Sequence, residues 1–86
     1  MSKEAQRIRD LALLGRAVRE LREQRRLSQA QLAAATGVPQ RRIGALEAGR
    51  LDPDYVLLVA LARALGVRPV TLVIRAEGLA EEEPLG

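Results

Sequence analysis

The stretch Ser28–Gly49, SQAQLAAATGVPQRRIGALEAG, decides how this chain folds. Ser28 followed three residues later by Gln31 fits a capping box, so a helix begins there. Leu32 and Ala33 form its inner face, and Gly37 supplies the left-handed residue that ends it. A second helix is predicted from about Pro39 to Ala48, with Gly49 after it. Proline is tolerated at such a start because the N–H it lacks would be unpaired there. Ile43 and Leu46 are the core contacts of this helix. Two short helices joined by a Gly-containing turn form a helix-turn-helix, whose second helix suits a DNA major groove.

The flanks extend the pattern. Leu11, Leu14, Val18 and Leu21 lie on one helical face, so a helix is expected from Glu4 or Asp10 to Arg25. Asp54 is the natural cap of a fourth helix, YVLLVALARAL, closed by Gly66. Tyr55 is expected to be buried at its start. Residues 69–78 admit two readings. Pro69 favours a fifth helix, whereas the β-branched run VTLVI suits a strand that pairs with a partner chain. From Leu79 onward, acidic residues with Pro and Gly suggest a loose tail.

Composition narrows the function. The chain has 86 residues, enough for one small domain with a thin core. With no Cys and no His, it lacks thiolate chemistry, the commonest general base and the commonest metal ligand. No Gly-rich phosphate loop and no paired carboxylates stand out, so neither an enzyme nor a cofactor is expected. No apolar run suggests a membrane span or signal peptide, which makes the cytoplasm the default location. Residues 1–50 carry 11 Lys/Arg and 5 Asp/Glu, a net +6, while residues 51–86 carry 3 and 6, a net −3. A basic half suits a polyanion, and the acidic half faces elsewhere. One aromatic residue, Tyr55, gives little for stacking single-stranded bases.

The predicted helix over 39–48 has an unusual outer face. At about 100° per residue, Arg41 lies about 160° from the inward Ile43. Gly44, Ala45 and Ala48 share the outward side, with Arg42 flanking it. One long cation stands before a shallow bed, which lets the backbone approach a groove closely while Arg41 reaches a guanine edge. Gln40, at the helix start, is placed for adenine or a phosphate. Gly44 has a second explanation, relief of crowding against a neighbouring helix.

These residues, with LREQRRLSQAQLAAATGVPQRRIGALEAGRLDP and LARALGV, resemble the Xre/Cro-type helix-turn-helix domain of phage repressors and many bacterial regulators. The resemblance runs from about Leu14 to Leu72. It implies an all-α, compact five-helix, lambda-repressor-like bundle over residues 14–78. Residues 1–13 would extend helix one or form a flexible basic arm carrying Lys3, Arg7 and Arg9. Residues 79–86 would be the acidic flexible tail. The implied function is a sequence-specific, double-stranded DNA-binding transcriptional regulator, a repressor, with Gln40, Arg41, Arg42, Gly44 and Ala45 at bases. Gln29 would touch a phosphate and buttress Gln40, Arg50 would touch the backbone, and Arg22 and Glu47 would form an internal ion pair, with Arg22 also near a phosphate. A homodimer through helix five is implied, with Leu72, Val73 and Leu79 as candidate contacts. The alternative is an antitoxin-like or other protein-interaction module whose partner is a toxin or another regulator. Two departures stand out. Position 39, usually a capping Ser or Thr, is Pro, and the GRLDP loop is poor in basic residues.

Overall fold

In the computed structural model, which describes residues 1–83, the chain forms five α-helices. They are α1 (Lys3–Gln24), α2 (Gln29–Thr36), α3 (Gln40–Glu47), α4 (Tyr55–Leu65) and α5 (Pro69–Glu82). The expected five-helix bundle is the observed one. The 69–78 segment is helix, not strand: Pro69 occupies the first turn of α5, where its fixed φ is already helical.

Local chemistry sets the helix ends. Ser28 Oγ accepts from Gln31 N at 3.0 Å, and Ser28 N donates to Gln31 Oε1 at 2.8 Å, which completes the capping box of α2. Leu27 and Leu32, on either side of that cap, both join the core, an arrangement that fixes the chain's entry angle. Asp54 Oδ1 accepts from Leu57 N at 2.8 Å and starts α4. Pro39 lies just before α3 and gives no side-chain cap, so α3 begins at Gln40 with its first amides uncapped by any side chain. The tight turn between α2 and α3 closes on Gly37, at φ 73°. Thr36 reinforces it: Oγ1 donates towards Leu32 O (2.9 Å) and Ala33 O (3.1 Å), and accepts from Val38 N at 3.2 Å.

The main core gathers Val18 and Leu21 of α1, Leu32 of α2, Ile43 and Leu46 of α3, Leu57, Leu61 and Leu65 of α4, and Leu72 of α5. Leu13 and Ala17 of α1 bury a second, smaller cluster against Leu79, with Ala76 and Ala80 at its edge. The stripe read from the sequence was one-sided. The real α1 is apolar on two sides because it packs against both α3 and α5.

Three expectations are corrected. Leu79 is 4% exposed, and α5 continues to Glu82, so residues 79–82 are not a loose tail. Docking of Leu79 onto Leu13 and Ala17, and an Arg9–Glu83 ion pair at 3.0 Å, hold this acidic end in place. The remaining tail positions, 84–86, lie outside the described residues. Leu72 and Leu79 are core, not candidate surface, whereas Val73 is 46% exposed. Tyr55 is exposed rather than buried, because α4 turns Leu57 and Leu61 inward instead. Residues 3–13 are helical and continuous with the rest of α1. Among the described residues, no single helix is long and apolar enough to cross a membrane; α4 and α5 meet at 92°.

Candidate nucleic-acid interface

α3 is held from its inner side by a polar network that sequence reading resolved only in part. Arg22 Nε donates to Glu47 Oε2 at 2.7 Å, and Arg22 Nη2 donates to Glu47 Oε1 at 2.9 Å. This bidentate fork joins α1 to the last residue of α3. Arg22 Nη1 donates to Leu27 O at 2.8 Å, which ties in the α1–α2 turn. Gln29 Nε2, at the start of α2, donates to Glu47 Oε1 at 3.0 Å. One carboxylate therefore fixes two helices, α1 and α2, against the short α3. The side chains of Arg22 and Glu47 are 12% and 3% exposed. Hydrogen bonding to Glu47 holds the Arg22 guanidinium above the usual arginine range, against the opposing effect of burial.

This geometry changes how Gln29 reads. It buttresses Glu47, and it makes no hydrogen bond to Gln40 among the described residues. Because the carboxylate can only accept, the amide must turn Nε2 towards it, and Oε1 faces Gly44. Arg22 spends all three guanidinium nitrogens inside the protein, which leaves little of it for a phosphate.

The outer face of α3 is different in kind. Gln40, Arg41, Arg42 and Ala48 are exposed, while Gly44 and Ala45 are half-buried behind them. Among the described residues, Arg41, Arg42 and Arg50 have no carboxylate partner. Gly49, at φ 75°, turns the chain out of α3, and Arg50 N closes on Ala45 O at 2.8 Å, placing the exposed Arg50 just beyond the helix. The surface offers cations and an amide with free donors around a low bed.

Gly44 does not owe its identity to crowding. A methyl there would meet Gln29 Oε1 at 3.5 Å and Nε2 at 4.0 Å, which is ordinary contact. Gly44→Ala is expected to raise stability by about 1 kcal/mol through helix propensity, read as a higher urea midpoint with unchanged slope. Net destabilisation would show that Gln29 has to leave Glu47 to make room.

Gly15 escaped the sequence reading altogether. Its Cα face lies directly on the carbonyls of Leu46 and Glu47, where α1 crosses the end of α3. The one available signal was a glycine inside an otherwise strong helical pattern. Among the described residues, no group of three or more Asp/Glu side chains could hold a metal ion.

Known proteins resemble this chain in sequence and fold. A helix-turn-helix family model matches residues 18–72. The HTH-type transcriptional regulator y4dJ of Sinorhizobium fredii is 36% identical over 74 residues, covering 86% of this chain and 91% of its own. The immunity repressor protein of Bacillus phage phi105 is 31% identical over 70 residues, covering 81% of this chain and 48% of its own. Among solved structures, the restriction-modification controller protein C.AhdI from Aeromonas hydrophila superposes with a TM-score of 0.72 at 36% identity, covering 73% of this chain and 96% of that one. With the family match spanning residues 18–72 and a short α2 and α3 joined by the Gly37 turn, the chain belongs to the Xre/Cro-type helix-turn-helix family.

Proposed function

We propose that this protein is a sequence-specific, double-stranded DNA-binding transcriptional regulator that works as a homodimer, in the cytoplasm and without enzymatic activity. One observation carries the reading. The outward face of α3 presents Gln40, Arg41 and Arg42 exposed and, for the two arginines, unpaired, while its inward face is locked by Glu47. A rigid helix with free cationic and amide donors on one side can enter a major groove. Arg41 suits the O6/N7 edge of guanine, and Gln40 suits adenine. Ala45 and Gly44 let the backbone come close. Arg42 and Arg50 extend the contact to flanking positions, and repression follows when a bound dimer blocks polymerase.

The dimer surface lies on α5, but not at Leu72 or Leu79. Val70, Val73 and Ile74 are exposed at helical spacing, and Val73 lines a shallow, mostly apolar groove with Leu13, Leu14, Ala76 and Ala80, edged by Asp10 and Glu77. Paired through this face, two copies would read half-sites about 34 Å apart. A second reading, a protein-interaction module, draws on the exposed Tyr55 and Val56 of α4. In that case the acidic half faces a protein partner, such as a toxin or another regulator.

Arg41→Ala distinguishes the two. It should weaken binding to a cognate site by about 1–3 kcal/mol and relax preference at one base pair. Equal weakening on every sequence would make Arg41 a phosphate contact. No change on any duplex would favour the protein-interaction reading.

A further inference from the structure

α5 carries its charges against its own dipole. A helix favours anions near its N-terminus and cations near its C-terminus. Here Arg68 is the N-cap residue, the first turn holds no acid, and Glu77, Glu81 and Glu82 crowd the C-terminal turns. All four charged side chains belong to exposed residues. Among the described residues none of them has an ion-pair partner. Nothing within one chain offsets this arrangement.

Gly78 is unexplained in the same way. Glycine inside a helix is less favourable than alanine. Gly78 has no positive φ, and a Cβ there would meet no atom within 4 Å. Neither a turn nor a neighbour in the chain calls for it. Both features lie on the side of α5 that faces away from the core. Leu72 and Leu79 point inward. At about 100° per residue, Val70, Ile74, Glu77 and Glu81 fall on the opposite side, with Gly78 beside them. Ile74 is 61% exposed, and it lines a shallow groove with Arg75, Gly78 and Glu82.

The order of residues on this face is self-complementary. Val70 stands four residues before Ile74, and Gly78 four after it. Arg68 stands six before, and Glu77 and Glu81 bracket the position six after. We propose, resting on the homodimer reading above, that a second copy of this chain lies on this face with its α5 antiparallel, the two Ile74 side chains meeting on the two-fold axis. Val70 of each copy then sits over Gly78 of the other, where the missing side chain lets the helices approach. Arg68 of each copy reaches between Glu77 and Glu81 of the other. Each α5 N-terminus lies beside the other's C-terminus, so charges opposed to the dipole within one chain are matched between two. A parallel pair would instead set Arg68 on Arg68 and acid on acid.

Sedimentation equilibrium of the full chain at about 50 mM salt, where exposed charges are weakly screened, reads the dimer constant. Arg68→Glu alone, and Glu77→Lys/Glu81→Lys alone, should each raise the dissociation constant about tenfold or more, because each brings like charges together. Circular dichroism of Arg68→Glu should show undiminished helix, since an acid suits that end of α5. An equal mixture of the two charge variants should regain near wild-type dimer, as every cross-pair is again of opposite sign. Gly78→Leu should weaken the dimer by a similar factor and keep the fold, because the space beside Gly78 is open within one chain. Either charge variant, or Gly78→Leu, dimerising with the wild-type constant overturns the seam and leaves the homodimer reading standing. A mixture as weak as its components overturns the antiparallel pairing. A wild-type chain that stays monomeric overturns the homodimer reading, and the seam with it.

Discussion

Glu47→Ala is expected to lower the free energy of unfolding by about 3–5 kcal/mol, the typical cost of removing one partner from a buried ion pair. The cause is what remains behind. Arg22 would keep its charge in a nearly closed site with only Leu27 O to receive its donors, and Gln29 Nε2 would lose its acceptor. Urea unfolding followed by helical circular dichroism reads the effect directly. A loss under about 1 kcal/mol would mean that the pair behaves as a solvated surface bridge. The partner experiment separates the charge from the space. Arg22→Met combined with Glu47→Leu should recover most of the loss, since apolar replacements of similar volume often match a buried pair. The double variant should still bind DNA less well, because the fork also sets the pose of α3 against α1 and α2.

Gly15→Ala carries the second large effect. Helix propensity alone predicts a gain of about 1 kcal/mol. The structure reverses the sign. The new Cβ would collide with Leu46 O and lie 2.7 Å from Glu47 O and 2.9 Å from Glu47 C. All of these are backbone atoms, so no side chain can swing aside; α1 and α3 must separate. Overpacking of this kind costs about 1–3 kcal/mol or more, so a net loss of roughly 2 kcal/mol is expected. The same substitution at Gly44 is expected to stabilise. Thermal or urea midpoints of the two alanine variants should move in opposite directions. A stable Gly15→Ala protein would show that the α1–α3 crossing has slack.

The contrast between the two glycines separates what the sequence carries locally from what only the fold brings together. Helix ends were legible, because Ser28 with Gln31, Asp54, Gly37, Gly66 and Pro69 each act within one turn of themselves. The bundle followed from those ends and the apolar spacing between them. Long-range partners were not legible. Leu79 looked like the start of an acidic tail because Leu13 and Ala17, which bury it, lie more than sixty positions earlier. Gln29 appeared to face Gln40, whereas its amide is drawn to Glu47. Tyr55 is expected at a buried helix start, yet the helical phase set by Leu57 and Leu61 turns it outward. At the candidate interface, the residue types of α3 were plain in the sequence. The lock behind them depends on how α1 crosses α3, which no local signal encodes.

On the function proposed above, the outward face of α3 reads a base sequence on duplex DNA. Selection of bound sequences from a random duplex pool at physiological salt tests it most directly. An enriched motif with two-fold symmetry is expected, its half-sites about one helical turn apart, with enrichment lost at one position per half-site in Arg41→Ala. Salt-sensitive binding with no enriched motif would contradict it.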